Sequence, residues 1–206
     1  MTTNGESHHF LPLDQDELRH RVRGQLQNAA SLINLQIRRT RHPEAVRALE
    51  DLRARFNTIT NIYVDLDETS DAPITIERML DRFARELVAL YDPTSRHTTM
   101  IEIAPVVLSG QRAVMLGQIM VELIINAYRH GLGDRASGAL SVELRVERDH
   151  AVFEVADDGP GLRDREPEEA EFGFALVRNL ADALNGTFER QHRDGFVACV
   201  RFPLNP

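Results

Sequence analysis

Two short clusters in the second half of the chain combine residues that could bind a charged ligand. Within "VELIINAYRHG", Glu122 and Asn126 lie four residues apart, so a helix would direct both side chains to one face. A carboxylate and an amide on one face can hold a divalent cation and a water molecule. In "DDGPGL", Asp157 is followed by Gly159 and Gly161, whose backbone a ligand can approach closely. Taken singly, the first pattern is more typical of a polar helix edge and the second of a turn.

A third cluster, "EFGFALVRNLADALNG", follows an acidic loop. We predict that Gly173 opens a helix there, and the free backbone N–H groups at a helix start suit a phosphate. Along the chain, E-x-x-x-N on a helix comes first, D-x-G-x-G after a strand comes second, and the glycine at a helix start comes third. This order and spacing is more specific than any one of the clusters.

A histidine near the N-terminus lies where core packing does not explain it, in "DELRHRVRGQLQNAASLINLQIRR". On a helical wheel the apolar residues of this segment share an arc of about 100°. They are Leu18, Val22, Leu26, Ala29, Ile33 and Ile37. His20 lies about 150° from the centre of that arc, and Gly24 lies within about 40° of His20. Because Gly24 has no side chain, it leaves space beside an imidazole that faces the solvent.

A second helix is predicted to start at Pro43, after the interruption "TRHP". Its apolar residues follow spacings of 3, 4, 3, 4 and 3, the pattern of a heptad seam, at Leu49, Leu52, Phe56, Ile59, Tyr63 and Leu66. Two helices joined by a short turn form an antiparallel hairpin. Because a lone hairpin buries such stripes poorly, we predict that two copies pair into a dimeric four-helix bundle, which makes the protein a homodimer.

The polar stretch "DETSDAP" separates this hairpin from a segment with a different pattern. We predict a disordered tail over 1–13, the hairpin over 14–68 and a second domain over 69–206. In that domain we predict helices over 74–92, 111–131 and 173–185, a strand in "TMIEIAPVV", and strand hairpins in "ALSVELRVERDHAVFEVADDG" and "GTFERQHRDGFVACVRFPL". Helices beside a mostly antiparallel sheet indicate an α+β fold with a two-layer α/β sandwich.

The composition limits the classes of partner. The chain has 206 residues, of which 24 are basic and 32 acidic, and the formal net charge of −8 disfavours a nucleic-acid or anionic-membrane surface. No apolar run approaches 18 residues and the N-terminus lacks a signal-peptide pattern, so we expect a cytoplasmic protein that does not bind a membrane. The single cysteine, Cys199, excludes an intrachain disulfide and a cysteine metal cluster.

The clusters of the second domain resemble, in order and spacing, the nucleotide-binding domain of the GHKL superfamily, which includes histidine kinases and gyrase-type ATPases. The resemblance implies that Asn126 holds Mg²⁺ and that Glu122 is a catalytic or metal-supporting carboxylate. It implies that Asp157 accepts a hydrogen bond from the adenine amino group of ATP, and that Gly159 and Gly161 line the nucleotide pocket.

Other parts of the domain extend this resemblance. Gly173 begins the third motif of the superfamily, and Arg129, where many relatives carry Lys, is assigned a phosphate contact. Asp158 stands where Asn is frequent, and Val121 stands where Asn is usual. The short segment "LRDREPEEAEFG" is similar to the lid of kinases of the HWE and H-R-x-x-N groups.

The N-terminal segment "ELRHRVRGQLQ" resembles the phosphoacceptor segment of those same kinases, roughly E-L-x-H-R-V-K-N-x-L. The resemblance implies that His20 accepts a phosphoryl group, that Glu17 orients its imidazole or accepts its other proton, and that Arg21 steadies the transferring group. Gly24 departs from the Asn of the pattern. Arg21 is equally compatible with a solvated helix charge.

The resemblance as a whole implies a cytoplasmic histidine kinase of a two-component system. It would autophosphorylate His20 from Mg-ATP and pass the group to an aspartate on the receiver domain of a response regulator. Because only about a dozen residues precede the first predicted helix, we expect either that the signal comes from a separate sensor or input protein or that the hairpin is itself the receiving surface.

Two other functions use the same scaffold. A histidine phosphotransfer protein would use His20 without ATP, and Gly24 and Val121 favour it, whereas the retained nucleotide-pocket residues oppose it. A serine kinase or protein-binding switch of the anti-sigma type also uses a GHKL domain, but it has no use for a phosphoacceptor hairpin.

Overall fold

The structure is a computed structural model of the chain. It describes the backbone of residues 15–67, 74–133, 135–160, 168–192 and 195–205. The side chains that it describes are those of residues 24–58, 60–61, 74–133, 135–160, 173–192 and 195–205. The predicted tail, 1–13, therefore lies outside the described residues.

The N-terminal part is a helical hairpin, as predicted. Helix α1 spans Gln15–Arg39 and helix α2 spans Pro43–Asp67, with Pro43 as the first helical residue. Arg53 Nη1 donates to Asn34 Oδ1 across the hairpin at 3.4 Å, which sets the level at which the two helices face each other.

The two faces of α2 differ in what covers them. The most buried side chains of α2, including Asp51, Ala54 and Thr58, are not in the heptad seam, because this face packs against a helix of the second domain. The described members of the seam are less covered, and Leu52 is 46 % exposed. The seam is therefore free for contact with another helix.

The second domain is built from a five-stranded sheet, a two-stranded sheet and three α-helices. Its elements are β1 (Ile74–Thr75), α3 (Glu77–Tyr91), β2 (Thr98–Ile103), β3 (Val107–Leu108), α4 (Gly110–Asn126), a π-helical segment (Ala127–Leu132), β4 (Ala139–Glu147), β5 (His150–Asp157), α5 (Glu168–Ala183), β6 (Thr187–His192) and β7 (Phe196–Pro203). The large sheet has the order β2-β4-β5-β7-β6. Among the described strands only β2 and β4 pair in parallel, whereas the small sheet joins β1 to β3 in antiparallel fashion.

The helices cover one face of the large sheet, which makes the α/β sandwich of the predicted α+β fold. In β7 the buried residues alternate with half-buried ones, and Phe196, Ala198, Val200 and Phe202 point into the core. Such alternation is expected when one face of a sheet is packed and the other is open. Cys199 lies on the open face as a free, half-buried thiol.

Several predicted boundaries differ from the structure, and the strand predicted in "TMIEIAPVV" is divided into β2 and β3, which belong to different sheets. The helix predicted from residue 74 begins at Glu77, because Ile74 and Thr75 pair with β3 instead. The helix predicted over 111–131 ends as an α-helix at Asn126 and continues as the π-helical segment. A π-turn widens the backbone, which brings Gly131 against the loop after β5.

The helix predicted to open at Gly173 begins five residues earlier, at Glu168. The sequence "EEAE" before it is a run of strong helix formers, which extends α5 toward the N-terminus. Gly173 consequently lies inside α5, and the prediction that it opens the helix and offers free backbone N–H groups to a phosphate is wrong. None of the described helices is long and apolar enough to cross a membrane.

Candidate functional site

The end of α4 and the start of α5 bring three of the predicted site residues together. Glu122 is 3 % exposed and Asn126 is 6 % exposed. A Cβ atom placed on Gly173 would lie 3.1 Å from Asn126 Nδ2 and 3.2 Å from Glu122 Oε2. Gly173 therefore serves by its lack of a side chain, because any larger residue would displace the carboxylate or the amide.

Asp157 is the last residue of β5, and glycine backbone packs closely around its carboxylate. It is 7 % exposed, and its Oδ1 accepts a hydrogen bond from the Gly159 N–H at 2.9 Å. A Cβ atom on Gly131 would lie 2.1 Å from the same oxygen, so only glycine fits there. Burial, opposed by the Gly159 N–H and helped by the charge of Asp158, raises the pKa of Asp157 to about 6.

Asp158 has a partner that no motif in the sequence predicts. Arg135 Nη1 donates to both the backbone oxygen and the Oδ1 of Asp158, each at 2.8 Å. This double contact ties the D-x-G loop to the segment that follows the π-helical turn. Arg135 is thus a residue of the site that no motif marked, because its role depends on a contact between two loops.

The site also contains two residues of the helical hairpin. Arg55 of α2 donates to both carboxylate oxygens of Glu122, from Nε to Oε1 at 2.5 Å and from Nη2 to Oε2 at 2.9 Å. Burial lowers the pKa of Arg55, but the pair with Glu122 and the charge of Asp51 outweigh it and raise that pKa above its ordinary value. Such a two-pronged pair is among the strongest contacts that side chains make.

One helical turn before Arg55, Asp51 makes a second set of contacts. Its Oδ2 forms an ion pair with Arg129 of the π-helical segment, and its Oδ1 accepts a hydrogen bond from Tyr91 Oη at 2.6 Å. Burial, followed by this hydrogen bond, raises the pKa of Tyr91 well above its ordinary value. The Tyr91 ring stacks on that of Tyr128, 5.7 Å between centroids, next to Arg129.

Several predicted site residues cannot be placed at this level of detail. Glu17, His20 and Arg21 lie in α1, but their side chains are outside the described ones, and Gly161 is outside the described residues altogether. Near them, a Cβ atom on Gly24 would meet no heavy atom within 4 Å, which agrees with open space on that face.

Asp51 and Arg55 were not predicted as site residues, and no local pattern in the sequence marks them. They lie one turn apart on a side of α2 that points about 90° away from the heptad seam. Charges of opposite sign beside Ala54 and Thr58 are also typical of a solvated helix face. What the sequence does not contain is their partner, since Glu122 follows 67 residues later.

Comparison with known families now bears on this site. A sequence-family profile described as histidine kinase (HisKA_2) matches residues 17–91, and one described as histidine kinase-, DNA gyrase B- and HSP90-like ATPase matches residues 111–206. The chain belongs to the histidine kinase family. This confirms the predicted family. The first match covers the helical hairpin and α3, and the second covers the sandwich from α4 onward.

Relatives of this chain include sensor kinases from bacteria. It is 32 % identical over 173 residues to the sensor histidine kinase PdtaS of Mycobacterium tuberculosis, a match that covers 81 % of this chain and 34 % of PdtaS. It is 24 % identical over 198 residues to blue-light-activated histidine kinase 2 of Erythrobacter litoralis, covering 92 % and 56 %. The chain thus spans about a third of the first relative and about half of the second.

Solved structures show the same fold. The histidine kinase domain of the blue-light-activated kinase EL346 of Erythrobacter litoralis aligns with a TM-score of 0.69 at 19 % identity, covering 89 % of this chain and 94 % of that domain. The histidine kinase AdeS of Acinetobacter baumannii aligns with a TM-score of 0.54 at 16 % identity, covering 91 % and 98 %. The arrangement of hairpin and sandwich is therefore that of histidine kinases.

Proposed function

We propose that this kinase phosphorylates its own His20 from Mg-ATP and passes the phosphoryl group to an aspartate of a response-regulator receiver domain. The observation that carries the proposal is that the side chains of both Glu122 and Asn126 reach Gly173, where a Cβ atom would lie 3.2 Å from Glu122 Oε2 and 3.1 Å from Asn126 Nδ2, in a chain that also carries a histidine kinase hairpin. The receiver domain is proposed from the family alone.

Asp157 is suited to hold adenine. A carboxylate accepts the hydrogen bonds of an exocyclic amino group, and above about pH 6 Asp157 is ionised. The crowding of Gly131 and Gly159 around it holds the oxygen atoms in one orientation. Arg135 keeps the adjacent loop in place through Asp158.

Asn126 and Glu122 are suited to hold Mg²⁺. Both offer side-chain oxygens, which a hard divalent cation prefers. The Asn126 amide is buried, and its Oδ1 is the atom that would coordinate the cation. When bound, Mg²⁺ neutralises negative charge on the phosphates that undergo transfer. Arg129 supplies a further positive charge at the same end of α4.

The reaction requires a neutral imidazole nitrogen of His20, which forms a bond to the γ-phosphorus while the bond from that phosphorus to the β–γ bridging oxygen breaks. The leaving group is ADP, and the imidazolium formed in the attack loses the proton of its other nitrogen. We assign to Glu17, one turn from His20 on α1, the role of accepting that proton or orienting the ring. Arg21 would steady the phosphoryl group in transit.

A second candidate is a histidine phosphotransfer protein that relays phosphate between receiver domains without ATP. The observation in its favour is that Arg55 occupies both oxygens of Glu122, while Glu122, Asn126 and Asp157 are each at most 7 % exposed. A closed site of this kind is expected in a kinase scaffold that has lost nucleotide binding.

The proposed partners follow from the hairpin. Leu32 of α1 is 63 % exposed and Leu52 of α2 is exposed as well, and a second hairpin would cover both. We propose that this second hairpin belongs to another copy of the chain, which forms the four-helix bundle.

Labelled ATP separates the two candidates. The purified protein is incubated with γ-labelled ATP and Mg²⁺, and the label is tested for lability in acid and stability in base, which marks phosphohistidine. The kinase predicts label that is lost in His20→Ala and in Asn126→Ala. If calorimetry detects no nucleotide binding, the chain is a phosphotransfer protein, and acid-stable label would refute both candidates.

A further inference from the structure

A cavity of about 430 Å³ lies at the edge of the sandwich, between the second half of α3 and the edge strand β2. Its volume is within the range of sites that bind small organic molecules. Its lining includes the buried His97 and the apolar side chains of Val88, Ala89, Pro93 and Ile101. We propose that this cavity binds an uncharged small molecule with an apolar body and one hydroxyl group, which pairs with His97.

His97 supplies the hydrogen-bonding groups for such a ligand. It is 6 % exposed, and neither its Nδ1 nor its Nε2 has a hydrogen-bond partner among the described residues. A neutral imidazole has one N–H donor and one acceptor nitrogen, and such groups cost free energy when they are buried without partners. Because a hydroxyl both donates and accepts, it can pair with either nitrogen in either tautomer. The hydroxyl of Thr99 is in the lining as well.

The backbone on both sides of the His97 ring is held by hydrogen bonds. Asp92 Oδ1 accepts from the Arg96 N–H and Asp92 Oδ2 from the His97 N–H, each at 2.9 Å. The Thr98 N–H donates to the Gly138 oxygen at 2.8 Å. The wall of the cavity is therefore formed before a ligand arrives, which lowers the entropic cost of binding.

The charged side chains of the lining favour an uncharged ligand. Arg85 donates to both oxygens of Asp81, at 2.9 and 2.8 Å. Burial would raise the pKa of Asp92, but the N–H groups of Arg96 and His97 outweigh it and lower that pKa, so the carboxylate is ionised at neutral pH. Arg96 Nε lies 3.7 Å from Asp92 Oδ1. Because both charges already have partners, a charged ligand would lose its hydration without compensation.

The cavity is separate from the proposed nucleotide site. A Cβ atom on Gly138 would lie 2.6 Å from Leu132 Cδ2, 3.0 Å from Asp158 Oδ1 and 3.2 Å from His97 Nδ1. The junction at Gly138 thus stands between His97 and the D-x-G loop, and Asp157, which is proposed to hold adenine, is not in the lining. The small molecule and ATP should therefore bind at the same time, and the inference does not depend on the proposed function.

The test uses p-cresol as the probe and two matched compounds as controls. Toluene lacks the hydroxyl, and 4-methylbenzoate carries a negative charge. Saturation-transfer NMR measures binding of each compound to the full chain, and the ring signal of ¹³C-labelled His97 is identified as the one lost in His97→Phe. We expect p-cresol to shift this signal and to bind about tenfold more tightly than toluene, and 4-methylbenzoate not to bind.

Two positions of the lining provide the variants. Ala89 is exposed on α3, so substitutions there leave the core intact. We expect Ala89→Phe to fill the cavity and abolish p-cresol binding, whereas the matched Ala89→Ser should bind as the wild-type protein does. His97→Phe keeps a ring but removes both nitrogens, so it should bind p-cresol and toluene with equal affinity. Circular dichroism confirms that each variant is folded.

The proposal has several ways to fail. It would be overturned by a lack of p-cresol binding, by equal affinity of the wild-type protein for p-cresol and toluene, or by unchanged binding in Ala89→Phe. Displacement of p-cresol by Mg-ATP would overturn it too, because the probe would then lie in the nucleotide site. None of these measurements involves phosphorylation, so a failure of the proposed kinase activity and a failure of this ligand site are distinguishable.

Discussion

Asp157 is a buried carboxyl group that is ionised at neutral pH. This buried charge lowers the stability of the unliganded protein. Its pKa of about 6 lies above the value of about 3.9 expected for an unfolded chain. Between about pH 6 and pH 4 the folded protein binds a proton at Asp157 that the unfolded chain does not bind. The free energy of unfolding therefore increases as the pH falls from about 6 toward 4, and this contribution is lost as the pH rises through 6. The proposed adenine contact thus conflicts with stability, as is common at functional sites.

We therefore predict that Asp157→Asn stabilises the unliganded protein. The neutral amide keeps an oxygen for the Gly159 N–H and removes the buried charge, so at pH 7.5 the free energy of unfolding should rise by about 1–2 kcal/mol. Thermal unfolding measured between pH 4 and pH 8 should show this gain shrinking below pH 6. A variant less stable than the wild-type protein at pH 7.5 would contradict the argument.

Nucleotide binding should show the opposite pH dependence. As Asp157 gains a proton below about pH 6, it loses acceptor capacity for the adenine amino group, so the affinity for Mg-ATP should weaken. Calorimetric titration across pH 5 to 8 measures this, and Asp157→Asn should bind weakly at every pH. Equal affinity at pH 5 and pH 7 in the wild-type protein would remove Asp157 from the nucleotide site.

Whether a site residue could be predicted from the sequence depended on how far along the chain its contact partner lies. Glu122 and Asn126 share a helix, so their common direction follows from spacing alone. Arg55 and Asp51 meet partners far along the chain, and Arg135 meets Asp158 across two loops. Nothing local to these residues marks them, because the contact exists only after the hairpin and the sandwich have docked.

At the scale of elements, glycines in two helices have opposite structural surroundings. Gly24 in α1 has open space where a side chain would lie, whereas Gly131 in the π-helical segment touches Asp157 and its loop. The α-helical and π-helical parts of 110–132 share one apolar pattern, which is why the sequence predicted a single helix. The change of helix type coincides with the close approach of Gly131 to the neighbouring loop.

The same substitution should therefore have opposite effects at these two glycines. Gly24→Ala should raise the free energy of unfolding by up to about 1 kcal/mol, because alanine is the better helix former and meets no clash. Gly131→Ala should lower it by about 1–3 kcal/mol and weaken Mg-ATP binding, because the new methyl group overlaps the Asp157 carboxylate. Thermal unfolding of both variants measures the effects, and the same sign of change in both would refute the steric argument.

At the scale of the molecule, the hairpin has two separate surfaces. One face of α2 packs on α4, while the apolar seam with Leu52, and Leu32 of α1, is exposed in the single chain. The fold class and the division into hairpin and sandwich followed from periodicity. How the two parts dock did not, because it depends on charges that pair between them.

The exposed apolar residues predict where two copies meet. Leu32→Glu and Leu52→Glu should each dissociate the proposed dimer, because a charge would be buried in the bundle. Leu90→Glu, which changes a similarly exposed leucine of α3, should leave it intact. Sedimentation velocity measures the mass of each variant, and a wild-type protein that sediments as a monomer would refute the bundle.

Because β7 lies between β5 and β6, the large sheet can be completed on the ribosome only after the hairpin. The large sheet lacks an inner strand until synthesis has passed residue 203, whereas both helices of the hairpin are complete at residue 67. At roughly 5–20 residues per second, the intervening 203 − 67 = 136 residues take about 7–27 s to add. During that interval the nascent hairpin has no completed sandwich to restrain it, so hairpins on neighbouring nascent chains can associate before either enzyme is finished.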